Sequence, residues 1–243
     1  MPTKWFYCKN ELLCINLFLN VHKHSDQKRQ LVRDIANLLE NNVNEIIREN
    51  ALDLQRMDDQ NPRKDRLMLN EHRIADLVQS LHALCLLPDP VGQVLRSENR
   101  ENGLFIEKRS VPIGVIGVIY ESRPNVTIDV AALCLLAGNA VVLRGGSDAA
   151  ASNQILVKWI KEALVLNNLP ADTVNLLSGG REQVKELLEA DKFVDMMIPR
   201  GSQELIDFVR QHSKVPVIET GAGVCHTFVS NQADLQKAIP VVV

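Results

Sequence analysis

The chain has 243 residues, 27 Lys and Arg against 30 Asp and Glu, and 46% hydrophobic residues, giving a formal net charge of −3. That length can bury a sizeable core, and the charge balance excludes a dedicated polybasic binder of nucleic acid or of an anionic membrane. No apolar run reaches the ~18 residues of a membrane span, and five scattered cysteines argue against a disulfide framework or a zinc site and for a reducing, cytoplasmic setting.

Residues 12–19, LLCINLFL, form a short apolar run broken by Asn16. His22, Lys23 and His24 follow it in place of a small-residue cleavage site, so it reads as a first strand or helix rather than a signal peptide. Ser25 or Asp26 can cap a helix that runs to about Glu49, with Leu31, Ile35, Leu38, Leu39, Ile46 and Ile47 on one stripe. The polar stretch 58–66 holds Asn61-Pro62 and reads as a loop. A second amphipathic helix places Ile74, Leu77, Val78, Leu81 and Leu84 on one face and stops at Pro88 and Pro90. Residues 96–103 read as a polar connection.

From Val111 the pattern changes. Residues 111–120, VPIGVIGVIY, are a nearly continuous β-branched run of the kind buried on both faces of a parallel sheet. A polar turn, 121–125, leads into an apolar helix over 126–137, which Gly138-Asn139 can end in a left-handed cap. A strand over 140–143, a Gly-rich turn and a helix centred on Ile155, Leu156, Trp159 and Ile160 follow. Further strands are expected near 174–177, 194–198 and 215–218, with a short one ending at Val229. Ser178-Gly179-Gly180 and Arg200-Gly201-Ser202 open the helices between them. This alternation describes a doubly wound, parallel α/β sheet, in which ligands bind at the carboxyl ends of the strands.

The turn after Leu143 offers Arg144, Gly145, Ser147 and Asp148. The glycines let backbone approach a ligand, and Ser147 or Asp148 can cap the next helix, whose free N–H groups suit a phosphate. A plain βα turn explains the same residues, and neither standard nucleotide fingerprint is matched. In the turn after Tyr120, Arg123 suits a carboxylate or phosphate and Asn125 an oxyanion; Asn125 as a helix N-cap is the competing reading. Cys225 and His226 are neighbours on an extended segment and so point apart, which disfavours a nucleophile–base pair. Cys134 sits within an apolar helix and reads as core. The remaining histidines have no partner pattern, and no metal site is expected.

Residues 111–153, VPIGVIGVIYESRPNVTIDVAALCLLAGNAVVLRGGSDAAASN, closely resemble the γ-glutamyl phosphate reductase (glutamate-5-semialdehyde dehydrogenase) family of the aldehyde dehydrogenase superfamily. DRLMLNEHRI (65–74), DPVGQV (89–94), VDMMIPRGS (194–202) and ETGAGVCH (219–226) also resemble family segments, in order, so the likeness runs from about residue 26 to the end. It implies an aldehyde-dehydrogenase-like fold: an atypical segment over 1–25, a helical part of the cofactor domain over 26–110 and a Rossmann-like NADP-binding core over 111–243. It implies NADPH-dependent reduction of L-glutamyl 5-phosphate through a cysteine thioester, in a cytoplasmic homo-oligomer. By position, Arg144, Gly145, Ser147 and Asp148 resemble the loop that meets the adenosine side of the cofactor. Gly201 and Ser202 resemble the turn over the pyrophosphate, and Glu219 the glutamate beside the nicotinamide. Arg123 and Asn125 would face the acyl substrate. The family's nucleophilic cysteine lies in a segment like QRP-x-x-C-N, which is not found in these 243 residues; Cys225 matches a different family cysteine. The resemblance therefore implies an N-terminal portion, inactive alone, with a non-catalytic NADP(H)-binding or partner-binding fragment as the alternative.

Overall fold

The computed structural model describes residues 25–121, 123–219 and 226–242. The apolar run over 12–19, Cys225 and the two glycines after Thr220 lie outside the described residues. The helix expected over 26–49 is two helices, α1 (Ser25–Asn41) and α2 (Val43–Gln55). Asn42 makes the break: its Nδ2 donates to the Leu38 carbonyl at 2.8 Å. Short polar side chains of this kind compete with the helix ladder. A single turn, α3 (Lys64–Leu67), interrupts the expected loop, and α4 (Glu71–Leu84) follows, capped by Asn70 accepting from the Arg73 N–H. Residues 96–103 are not a plain connection. They belong to an antiparallel hairpin of β1 (Val94–Asn99) and β2 (Phe105–Arg109), nearly all of it exposed.

Strand β3 (Val115–Tyr120) is buried along its whole length. Its side chains divide by period two. Ile116, Val118 and Tyr120 join a core with α1, α2, α4, α5 (Pro124–Leu136) and α6 (Ala150–Leu166). Val115 and Ile119 face the opposite core, with α7 (Arg181–Leu188) and α8 (Gln203–His212). Gly117 faces that second core, where a Cβ would strike the Met197 side chain.

The four-stranded sheet has the order β5-β4-β3-β6, all parallel, with β4 Ala140–Arg144, β5 Val174–Leu176 and β6 Met196–Arg200. The strand expected over 215–218 is reduced to one parallel bridge, Met197 to Val217. No strand forms over 226–230, and the described chain ends in α9 (Leu235–Val242), which buries no side chain. Gly138 takes φ 73° after α5, the left-handed cap the sequence suggests. Asn139 Oδ1 then accepts from the N–H groups of Ile113 and Gly114 at 2.7 and 2.9 Å. These bonds fix where β3 starts relative to β4.

Among the described residues no helix is long and apolar enough to cross a membrane, and no group of three potential metal-ligating side chains converges.

Candidate functional site

The chain runs β3, β4, β5 toward one edge and then returns to place β6 on the other side of β3. In such sheets the crevice opens between the strands where the order reverses. Here it lies beyond Tyr120 and Arg200, which are register partners on β3 and β6. The turns after these strands carry Glu121 and Arg123 on one side, Gly201 and Ser202 on the other.

Glu121 and Ser202 meet across this crevice. The Ser202 N–H donates to Glu121 Oε2 at 3.0 Å, and its hydroxyl donates to Oε1 at 2.8 Å. Ser202 is also the N-cap of α8, its Oγ accepting from the Leu205 N–H at 3.4 Å. The start of α8 therefore already holds a carboxylate, as expected where free N–H groups and the helix dipole favour an anion. Gly201 permits the approach: a Cβ there would lie 2.8 Å from the Glu121 carboxyl carbon and 2.9 Å from Leu205.

The turn after β4 differs from the sequence expectation. Neither Ser147 nor Asp148 caps α6; Ser147–Ala149 is a 3-10 turn and the N-cap is Ala149. Asp53 of α2 does the capping, accepting from Ala151 N at 3.1 Å, Ser152 N at 2.8 Å and Ser152 Oγ at 2.7 Å. A buried carboxylate thus fills the helix start that composition alone offers to a phosphate. Asn50 extends the network to Ser152 Oγ and the Leu67 carbonyl, both at 2.9 Å.

Arg144 ends β4, half-buried. It donates to the Gly179 carbonyl at 2.8 Å and to that of Gly145, joining the loops after β4 and β5. Its Nε is buried with no hydrogen-bond partner. Burial lowers the guanidinium pKa, against a smaller raising contribution from Tyr120. Beneath Gly145 runs a polar chain, Tyr120 Oη to Thr127 Oγ1 at 2.6 Å and Thr127 Oγ1 to Asn153 Oδ1 at 2.8 Å. Burial pushes the Tyr120 hydroxyl up to about 12.

Arg123, not Asn125, occupies the N-cap position of α5, because Pro124 takes the first helical position that its fixed φ favours. Asn125 lies one step further in and turns its Nδ2 toward Asp129 Oδ2 at 3.4 Å. Both line a second cleft with Arg66, Arg73 and Asp129. Glu219 stands apart, paired with Arg210 of α8 at 3.3 Å. Of the described cysteines, Cys134 and Cys85 are buried, and burial pushes the Cys134 thiol up to about 12 and raises that of Cys85. Neither is poised as a nucleophile.

The sequence model of the aldehyde dehydrogenase family matches residues 22–243. The chain belongs to this family. Among aldehyde dehydrogenase relatives, gamma-glutamyl phosphate reductase of Chlorobium phaeobacteroides (strain BS1) is 49% identical over 212 residues, 87% of this chain and 51% of its own length. The crystal structure of gamma-glutamyl phosphate reductase from Thermotoga maritima superposes with a TM-score of 0.83 at 40% identity, covering 94% of this chain and 56% of that one. Glyceraldehyde-3-phosphate dehydrogenase of Methanocaldococcus jannaschii, complexed with NADP, shares the fold at TM-score 0.63 and 19% identity, over 89% of this chain and 46% of its own. The chain spans about half the length of the curated relatives it matches.

Sequence reasoning about this aldehyde dehydrogenase chain missed Glu121 and Asp53. Glu121 carried a weak signal, as an acid directly after a buried strand. Asp53 carried none, since its partners lie 98 and 99 positions away.

Proposed function

We propose that the chain is the cofactor-binding portion of a γ-glutamyl phosphate reductase. The reaction is NADPH-dependent reduction of L-glutamate 5-phosphate to L-glutamate 5-semialdehyde with release of phosphate, the second step of L-proline biosynthesis. The observation that carries this reading is the 49% identity to a reductase of that name over 87% of the chain. The crevice between β3 and β6 supports it on physical grounds.

The fit to a dinucleotide rests on a stand-in. The Glu121 carboxylate at the start of α8 takes hydrogen bonds that a pyrophosphate oxygen would accept, and Gly201 keeps the approach open. Ser202 and Gly201 would hold the pyrophosphate. Arg144, Gly145, Ser147 and Asp148 would flank the adenosine side, with Arg144 already braced between two loops. Glu219 would border the nicotinamide. When bound, the cofactor supplies the hydride. Arg123 and Asn125 would orient the acyl substrate, Arg123 as an exposed cation at the lip of its cleft. Because the described thiols are buried and held protonated, the nucleophile has to come from outside them.

A partner-binding role accompanies this reading. Leu95, Phe105 and Ile106 of the hairpin are exposed, a surface suited to association in a homo-oligomer. The setting proposed is cytoplasmic.

Split complementation tests the function. This chain, co-expressed with the C-terminal half of the Chlorobium reductase in a strain lacking that enzyme, should restore growth without proline. Growth no better than with the C-terminal half alone would overturn the reading.

A further inference from the structure

One cleft holds opposite charges that are only partly paired with each other. The cleft, of about 340 Å³, opens between α3–α4 and the first turns of α5. It carries three cations, Arg66, Arg73 and Arg123, and three acids, Asp65, Asp76 and Asp129. Three of these groups are committed. Arg73 donates to Asp65 Oδ1 at 2.8 Å and to the Met68 carbonyl at 2.9 Å, and Asp76 lies 3.0 Å from His72.

The other three are not. Among the described residues, no ion pair joins Arg66, Arg123 or Asp129 to any partner. Asp129 is half-buried and faces only the Asn125 amide, at 3.4 Å. Burial raises its pKa, opposed by that one hydrogen bond, so its ionised form would gain from a cation. Arg66 and Arg123 offer planar donor forks to a carboxylate. A ligand bearing both charges on one carbon would satisfy all three.

We propose that this cleft binds the α-amino-acid end of the substrate, Asp129 holding the ammonium and Arg66 and Arg123 the carboxylate. The inference rests on the reductase reading and deepens it: it names the groups by which the enzyme distinguishes a glutamyl phosphate from a simple diacid. Asp129 is then a specificity residue, remote from the bond that reacts.

The test is ligand binding to the purified chain by saturation-transfer NMR. The probes are L-glutamate, glutarate (which lacks the ammonium) and inorganic phosphate, with NADPH binding measured separately by fluorescence. L-Glutamate should saturate and bind about tenfold tighter than glutarate, the effect of one charge-assisted hydrogen bond. Asp129→Asn should abolish that preference without changing glutarate binding, and Asp129→Glu should retain it. Equal binding of L-glutamate and glutarate, a preference surviving in Asp129→Asn, no saturable L-glutamate signal, or phosphate competing more strongly than L-glutamate would each overturn the proposal. If NADPH still binds in that case, the cofactor reading stands and this inference alone fails.

Discussion

Ser202 directs both its backbone N–H and its hydroxyl at one carboxylate, that of Glu121, 81 positions earlier in the chain. The pair bridges β3 and β6 at the point where strand order reverses, and it fills the start of α8 with an anion. On the proposed function, a dinucleotide phosphate arriving there would compete with Glu121 for the same donors.

Removing that charge should therefore favour the cofactor. Glu121→Gln should tighten NADPH binding by about two- to fivefold, the range of a single charge at a helix N-terminus. The gain should shrink in high salt, because the site is exposed. Fluorescence titration at two ionic strengths reads both effects, and weaker binding by the variant would show that Glu121 assists the cofactor instead.

Asp53 should be a stability residue. It is 1% exposed and takes three hydrogen bonds from the start of α6. Asp53→Ala leaves those donors buried without an acceptor and should cost about 2–4 kcal/mol. Asp53→Asn should cost less, since its amide oxygen can still accept. Urea unfolding followed by circular dichroism measures the difference.

Gly145 should tolerate no side chain. A Cβ there would come within 3.1 Å of Tyr120 and crowd the Asn153 amide, against the buried Tyr120–Thr127–Asn153 chain. Gly145→Ala should destabilise by about 1–3 kcal/mol, the cost of overpacking. It should also weaken NADPH binding through the displaced turn.

Cys134 should be silent chemically until the chain opens. Its thiol is buried and pushed up to about 12, against an ordinary value near 9.0. The folded pKa is raised, so the folded state keeps its proton after the unfolded state has lost it. Stability from this group is therefore full below about pH 9 and falls as pH rises from 9 toward 12. Labelling by a disulfide reagent at pH 8 should follow global unfolding. Fast labelling of Cys134 in the native chain, located by mass spectrometry, would contradict the burial.

Much of the central fold was readable because local patterns there agree with tertiary placement. The β-branched run of β3, Gly138 after α5 and the small-residue turn before α8 each announce one structure. The hairpin β1–β2 was not readable, since both its faces are exposed and no alternation marks it. The cap of α6 was misread for a different reason. Ser147 and Asp148 are locally good caps, but Asp53 arrives from another helix and takes the N–H groups first. Asn125 lost the cap of α5 because Pro124 fixed the helix start one residue earlier. Arg123 and Asn125, expected to face one substrate, do line one cleft, and Glu219, expected elsewhere, pairs with Arg210.

Cofactor binding in the crevice between β3 and β6 is the central property proposed for the chain. The decisive measurement titrates the purified 243-residue chain with NADPH, alongside Gly201→Val. A Cβ at Gly201 would crowd both Glu121 and Leu205, so the variant closes the approach to the α8 N-terminus. The expected result is saturable fluorescence enhancement by the natural chain, weakened at least about tenfold in Gly201→Val, as for a lost anion contact. No saturation, or equal affinity in the two proteins, would contradict the assignment of this crevice to the dinucleotide.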